Sequence, residues 1–223
     1  MILKDADLPG AWRNADDESK RGQLLTLWLT GVKIGGGLTS AVGGIFSWHL
    51  GHLNLSAWVI LIGFIVAFTC EVFTLGLKPE RIWYEGRAVA ESVKTLAWRY
   101  AVCADPFPKR MPRSEAEPKF RQRISSITDQ MSDKIIFDNS DSVISDTMSA
   151  LRKLSFKERR DAYVQGRTLE QREWYSKKAR ANQQRATASW TLLTIVEIVA
   201  IILAVGRIFG RWNFDFAGLL AAT

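Results

Sequence analysis

The stretch from Leu24 to Leu77 reads LLTLWLTGVKIGGGLTSAVGGIFSWHLGHLNLSAWVILIGFIVAFTCEVFTLGL. Its first part, Leu24 to Leu50, holds one charged residue, Lys33, and its last part, Ala57 to Leu77, holds one, Glu71. Each part is long enough to cross a hydrocarbon core of roughly 30 Å, which takes about 20 helical residues. Lipid offers backbone amides no partners, so a crossing segment satisfies them internally and is a helix. Gly51 to Ser56, between the two, is short, uncharged and turn-prone. The pattern predicts a tight transmembrane hairpin. Trp48 and Trp58 bracket the turn at the depth where indoles collect, and Trp28 stands near the other end of the first span.

The first span carries small residues at steps of four: Gly31, Gly35, Thr39, Gly43 and Ser47. Gly36, Ser40 and Gly44 form a second row beside them. Steps of four stack on one helix face. Small side chains there let a second helix come close, which matters in lipid because packing has to drive association. The spacing predicts a packing helix, either within its own hairpin or between protomers around an axis. Lys33, Glu71 and Glu197 are each costly in hydrocarbon and are expected to face protein or water. Lys33 is placed to pair with Glu71 or to reach the headgroups, and the two glutamates are candidates to line a polar path favouring cations.

The whole chain has 223 residues, 47% hydrophobic content and a net charge of +7. Three apolar runs alternate with very polar sequence. Between Lys78 and Arg185 there are 23 Lys and Arg against 15 Asp and Glu. Beside membrane spans such an excess speaks first for orientation and attraction to anionic lipid. Lys20 and Arg21 precede the first span, the turn has no Lys or Arg, and the segment after the second span has many, so residues 1–23 and 78–187 are expected on the cytoplasmic side of an inner membrane. The two cysteines, Cys70 and Cys103, form no disulfide framework or zinc spacing. No cleavable signal peptide is evident.

Taken in order, residues 1–23 read as a polar tail, 24–77 as the hairpin, 78–187 as a basic helical domain, and 188–223 as a third span and the start of a fourth. Pro79 either restarts a helix or bends a continuous one. Ala88, Val89, Val93, Leu96 and Ala97 supply apolar positions to a helix from Arg81 to Cys103, which Asp105-Pro106-Phe107-Pro108 stops. The basic, proline-containing stretch to Pro118 reads as a loop. Phe120, Ile124, Ile127 and Met131 mark an amphipathic helix. Asp138 to Asp146 reads as an exposed loop and lacks the glycine and glutamate of a calcium loop. Ser155 and Glu158 form a capping box, opening one helix from Phe156 to Gly206 that passes into apolar sequence at Ala188, with Trp190 at the boundary. Phe214 to Ala222 begins a fourth apolar run too short to span, so the chain is expected to be a fragment. The fold expected is an all-α membrane protein: two transmembrane helical hairpins, the second truncated, joined by a cytoplasmic helical bundle whose long helices continue into the spans.

Two polar motifs stand out. Arg87-x-x-x-Glu91-x-x-Lys94-x-x-x-Trp98-Arg99 follows the hairpin, and Tyr163-x-x-x-Arg167-x-x-x-Gln171-x-x-Trp174-Tyr175-x-x-Lys178-Ala179-x-x-Asn182 precedes the next apolar run. Each lies near one helix stripe. Together, from the first span to the third, they resemble the SLATT proteins, the SMODS- and SLOG-associating two-transmembrane effector domains of prokaryotes. The resemblance implies a membrane effector of a bacterial conflict or antiphage system that forms or gates a pore when a nucleotide-linked sensor is triggered. On their own chemistry the stripes serve helix packing or receive a partner or ligand, and Glu91 is a candidate partner for Arg167.

No Ser-His-Asp, Cys-His or paired-carboxylate arrangement suggests a reaction, so no enzyme is expected. No phosphate-cradling glycine loop is present. His49 and His52 flank the turn without further ligands, and neither a metal nor a cofactor is expected. The basic middle lacks the aromatic grouping of a nucleic-acid reader. Expected partners are the lipid bilayer, further copies of the chain and a cytoplasmic sensor. The rival to a pore is a non-conducting membrane-anchored scaffold that binds a cytoplasmic partner through its helices.

Overall fold

A computed structural model describes residues 2–45, 49–50, 53–129 and 143–210. It divides the chain into two compact units. One comprises Met1–Leu24 with Pro79–Lys177, the other Leu25–Lys78 with Lys178–Thr223. The protein is an all-α membrane protein. Two of its helical stretches, Leu55–Ala101 and Phe156–Gly206, contain segments long and apolar enough to cross a membrane. Those segments are hardly covered by protein, at 11% and 0% buried. Such bare apolar surface suits lipid and not water. The fourth apolar run, Phe214 to Ala222, lies outside the described residues, as does Trp48.

In the second unit the hairpin pairs the later half of α1 (Gly10–Ile45) with α2 (Leu55–Leu77). A short antiparallel pair, β1 (His49–Leu50) and β2 (Leu53–Asn54), closes the turn. Asn54 caps α2 by accepting from the Ala57 amide at 3.1 Å. The helices meet along Leu29, Lys33, Gly36, Ser40 and Gly43, spaced alternately by four and three. A Cβ on Gly36 would come within 2.7 Å of the Gly63 carbonyl, and one on Gly43 within 2.9 Å of Ile60. Ser40 Oγ shares its proton between the Ile60 carbonyl, 3.0 Å away across the seam, and its own Gly36 carbonyl at 3.2 Å. Lys33 Nζ lies 2.7 Å from Glu71 Oε2.

The steps-of-four row is therefore not the row that meets α2. A Cβ added at Gly31 or Gly35 would meet nothing within 4 Å beyond the helix's own backbone. Thr39 turns its hydroxyl back to the Gly35 carbonyl at 2.8 Å. Gly43 alone of that row packs, and Ser47 lies outside the described residues. Each step of four overshoots a 3.6-residue turn by about 40°, so four such steps walk off a straight contact. Alternating four and three averages 3.5 and stays on a left-handed seam.

Lys78 takes a left-handed conformation, φ 48°, and its amide returns to the Thr74 carbonyl at 3.0 Å. This ends α2 as an αL cap, and α3 (Pro79–Ala101) starts afresh with proline in its first turn. The junction is a break, not a bend.

In the first unit α3 is the centre. It buries Val89, Val93, Leu96, Ala97 and Tyr100, while Ala88 is exposed. Of the segment read as a polar tail, residues 2–23 are described, and they pack into this unit. Leu3 and Leu8 are buried, and Ala15 is fully buried beside Gly86 of α3. A helix already begins at Gly10. Tyr100, Phe107 and Phe120 form a ring cluster with centroids 5.0–5.8 Å apart, and burial of each such side chain contributes roughly 1.5–3 kcal/mol.

The end of the stretch expected as a loop to Pro118, from Arg113 on, already belongs to α4 (Arg113–Thr128). Pro118 is tolerated because it lies in the second turn, where it deletes one hydrogen bond near the helix end. Phe120 and Ile124 bury as their spacing predicted, and Met131 is outside the described residues. Of the expected acidic loop, residues 138–142 lie outside the described residues and 143–145 are non-helical; Asp146 then opens α5 (Asp146–Lys153), capped by Ser145 and anchored by Met148 and Leu151, both fully buried. The Ser155–Glu158 capping box opens α6 (Phe156–Tyr163). A π-helical segment, Val164–Leu169, then leads into α7 (Glu170–Ile208).

Candidate functional site

Two buried arginines organise the C-terminal end of α3, where carbonyls lose their helical partners. Arg152 donates to the carbonyls of Tyr100 and Phe107 at 3.0 Å, Pro108 at 3.2 Å and Met111 at 3.3 Å. Its guanidinium also lies over the Tyr100 ring, 4.9 Å from the centroid. Arg159 reaches the carbonyls of Val102 at 2.9 Å and Leu154 at 2.6 Å. Burial pushes the Tyr100 hydroxyl pKa upward. These arginines fix the frame and are not themselves open to a ligand. Sequence reading missed both, because an arginine that caps a distant carbonyl follows no fixed spacing.

Built on this frame, entirely within the first unit, is a cleft of about 450 Å³. One wall is the N-terminal part of α1 with the segment before it: Asp5, Trp12, Asp16 and Lys20. The second is α3, with Arg87, Glu91 and Lys94. The third is the π segment and the start of α7, from Arg167 to Lys177. The π segment holds the side chain of Arg167 inward, at 9% exposure. Gly166 makes this approach possible, since a Cβ there would come within 2.8 Å of the Trp98 ring. Trp98 is thus a core residue, edge-on to Tyr163 at 5.6 Å.

Glu91 bridges two guanidinium groups. Its Oε2 accepts from Arg167 Nη2 at 3.1 Å and its Oε1 lies 2.9 Å from Arg87 Nη2. Arg167 also donates to Thr95 Oγ1 at 3.3 Å. Hydrogen-bonding logic turns the Gln171 amide oxygen toward Arg167, at 3.1 and 3.2 Å from its two terminal nitrogens. Arg87 reaches Asp16 at 3.4 Å and lies over the Trp174 ring at 5.7 Å. Asp16 in turn holds Lys20 at 2.6 Å, and that hydrogen bond, with the attraction behind it, raises the Lys20 pKa. Lys94 pairs with Asp5 at 2.8 Å and lies over the Trp12 ring at 5.6 Å.

The structure therefore gathers Arg87, Glu91, Lys94, Arg167, Gln171, Trp174 and Tyr175 around one cleft. Lys178 and Asn182 fall in the second unit and are exposed. Of the charged residues expected in the membrane, Lys33 and Glu71 pair, whereas Glu197 is exposed and makes no ion pair among the described residues. The contributions of Asp5, Trp12, Asp16 and Lys20 were not foreseen. The available signals were Trp12 inside a polar segment and the Asp16–Lys20 spacing of four. Among the described residues no group of His, Cys, Asp and Glu suits a metal ion.

A helical hairpin with bare apolar helices, attached in sequence to a helical unit with a charged aromatic cleft, defines a membrane protein with a polar helical part. Two family models match the chain: the SMODS and SLOG-associating 2TM effector domain 3 over residues 9–160, and domain 1 of the same series over residues 163–223. The chain belongs to this family of two-transmembrane effector domains, and so to the membrane effectors of conflict systems. No curated protein and no solved structure matches it.

Proposed function

We propose that the protein is a non-enzymatic effector that assembles from several copies in the bacterial inner membrane and makes it leaky to ions, with residues 1–23 and 78–187 on the cytoplasmic side. The observation that carries this reading is the Lys33–Glu71 pair. It joins the two helices of an apolar hairpin at 2.7 Å, yet both side chains remain about half exposed, at 50% and 45%. Charge in hydrocarbon is expensive unless it faces protein or water. A pair that its own hairpin leaves half uncovered calls for a further polar neighbour, which a ring of copies around a wet axis supplies. The open row of Gly31 and Gly35 beside it lets another helix approach. Purified full-length protein in liposomes tests the reading: ion release that changes with Glu71→Gln supports it, and tight liposomes under every activating condition refute it.

The cleft favours a second reading, a membrane-anchored scaffold whose helical unit captures a cytoplasmic partner or nucleotide-linked sensor. In that case substitutions at Trp174 or Arg87 abolish capture while the hairpin tolerates Lys33→Met with Glu71→Met.

A further inference from the structure

A second groove, of about 450 Å³, lies between α3 and α4 inside the first unit. The Tyr100 and Phe120 rings meet at 5.0 Å. From that contact the lining runs back along α3 to Glu91 and forward along α4 to Ile127, so the two helices are antiparallel. Ser92, Thr95 and Arg99 stand at steps of three and four, as do Arg123, Ser126 and Ile127, which puts each set on one helix face. Arg99 is one residue from the ring contact and Arg123 three, so helical rise sets them only about 3 Å apart along the groove.

Charge in this groove does not balance. Arg99 and Arg123 both line it, both are exposed, and neither has an ion pair among the described residues. Among those residues Glu91 is the one carboxylate in the lining. Its two oxygens are already held by Arg87 and Arg167. Two cations that share a groove repel each other, and an anion between them turns repulsion into attraction. Thr95 stands one turn before Arg99 on the same face, with its Cβ about 5–6 Å away. It accepts from Arg167 at 3.3 Å and donates its own proton to no acceptor among the described residues. We propose that this groove binds the phosphate group of a small monoester, through Arg99, Arg123 and the Thr95 hydroxyl. Phosphate suits the set better than a carboxylate does, because guanidinium forks take its oxygens in pairs and leave one for the hydroxyl. Further along, Ser92 and Ser126 with the apolar sides of Leu96 and Ile127 leave room for the organic part. The volume lies within the roughly 300–1,000 Å³ of small-molecule sites. The proposal goes beyond the leak reading and is tested apart from it, since binding is measured directly.

The test is calorimetric titration of the full-length protein in phosphatidylcholine nanodiscs with glycerol 3-phosphate. Binding is expected to saturate by roughly 10 mM, with D-glycerate, a carboxylate of similar build, at least about tenfold weaker. Arg99→Gln and Arg123→Gln should each lower the affinity by about tenfold or more, as loss of a charge-assisted hydrogen bond does. Arg121→Gln removes the same charge from α4 about 200° round the helix, outside the lining, and should leave the affinity unchanged. All three arginines are exposed, and unchanged circular dichroism establishes that each variant is folded. Further discs separate a lipid headgroup from a soluble phosphoester. Loss of binding in discs that carry phosphatidic acid, but not in discs that carry phosphatidylserine, identifies the lipid monoester as occupant, and unchanged binding in both identifies a soluble one. Failure to saturate by roughly 10 mM overturns the proposal. So does equal affinity for D-glycerate, or an Arg121→Gln loss as large as that of Arg99→Gln, which marks a general attraction to basic surface.

Discussion

Arg167 Nη2 lies 3.1 Å from Glu91 Oε2, joining the π segment to α3 across 76 positions of sequence. The arginine is buried and the glutamate is 38% exposed. Loss of the acid strands a guanidinium that keeps only Thr95 and Gln171. Glu91→Ala should lower stability by about 1–2 kcal/mol, less than the roughly 3–5 kcal/mol of a fully buried pair, because water reaches the glutamate. A double-mutant cycle with Arg167→Gln, read from denaturant midpoints, should show coupling between the two sites.

Among the described residues Arg152 is held by four backbone carbonyls and no carboxylate. Arg152→Met removes the donors and leaves those carbonyls buried, costing about 2–4 kcal/mol. Arg152→Lys should restore little, since one ammonium lacks the planar fork that spans all four. Limited proteolysis between α3 and α4 should accelerate in both variants.

Gly63 admits the backbone of α1. A Cβ there would come within 2.5 Å of the Gly36 carbonyl, so Gly63→Val forces the hairpin apart. Cys70, buried at 5% exposure on the same seam, reports the change. Its alkylation by a membrane-permeant maleimide should speed up in Gly63→Val and stay at the wild-type rate in Gly31→Ala, whose new methyl meets nothing.

Glu158 accepts from the Ser155 hydroxyl and amide, and these bonds hold its pKa below the ordinary 4.5. A group whose pKa falls on folding stabilises the protein above its unfolded value. That contribution is lost as pH drops through the lowered one. The stability gap between wild type and Glu158→Gln should therefore be full at neutral pH and close progressively below about pH 4.5, as followed by thermal unfolding.

The Lys33–Glu71 pair gives a fifth expectation. Exchange of the two charges, Lys33→Glu with Glu71→Lys, should retain hairpin packing by the same maleimide assay, whereas either single substitution should loosen it.

How far the sequence reveals the fold depends on the kind of signal. The apolar runs, the capping box at Ser155 and the Phe120–Ile124 spacing declare themselves because hydrophobic period and cap chemistry are local. The burial of Leu3, Leu8 and Ala15 does not, since a few apolar positions in a charged segment look like a tail until α3 is set beside them. The α5 helix hides among Asp and Ser residues that favour caps and turns equally. At the cleft, steps of four bring Arg87 and Glu91 to one stripe, but Asp16 and Trp12 arrive from a segment far away in sequence. The seam of the hairpin is the clearest difference: two rows of small residues are visible, and only the three-four alternation tells which one a neighbour can follow.

The π segment carries a consequence for reading angles along this chain. Its wide turn accommodates one residue more than an α-helix would, and each residue of an α-helix turns by about 100°. Gln171 and Trp174 consequently owe their azimuth to that insertion as much as to their own positions. Deletion of one residue between Val164 and Leu169 would let the turn close to α-helical width and keep Trp174 over Arg87, whereas a substitution that closed the turn without a deletion would swing it away by about 100°.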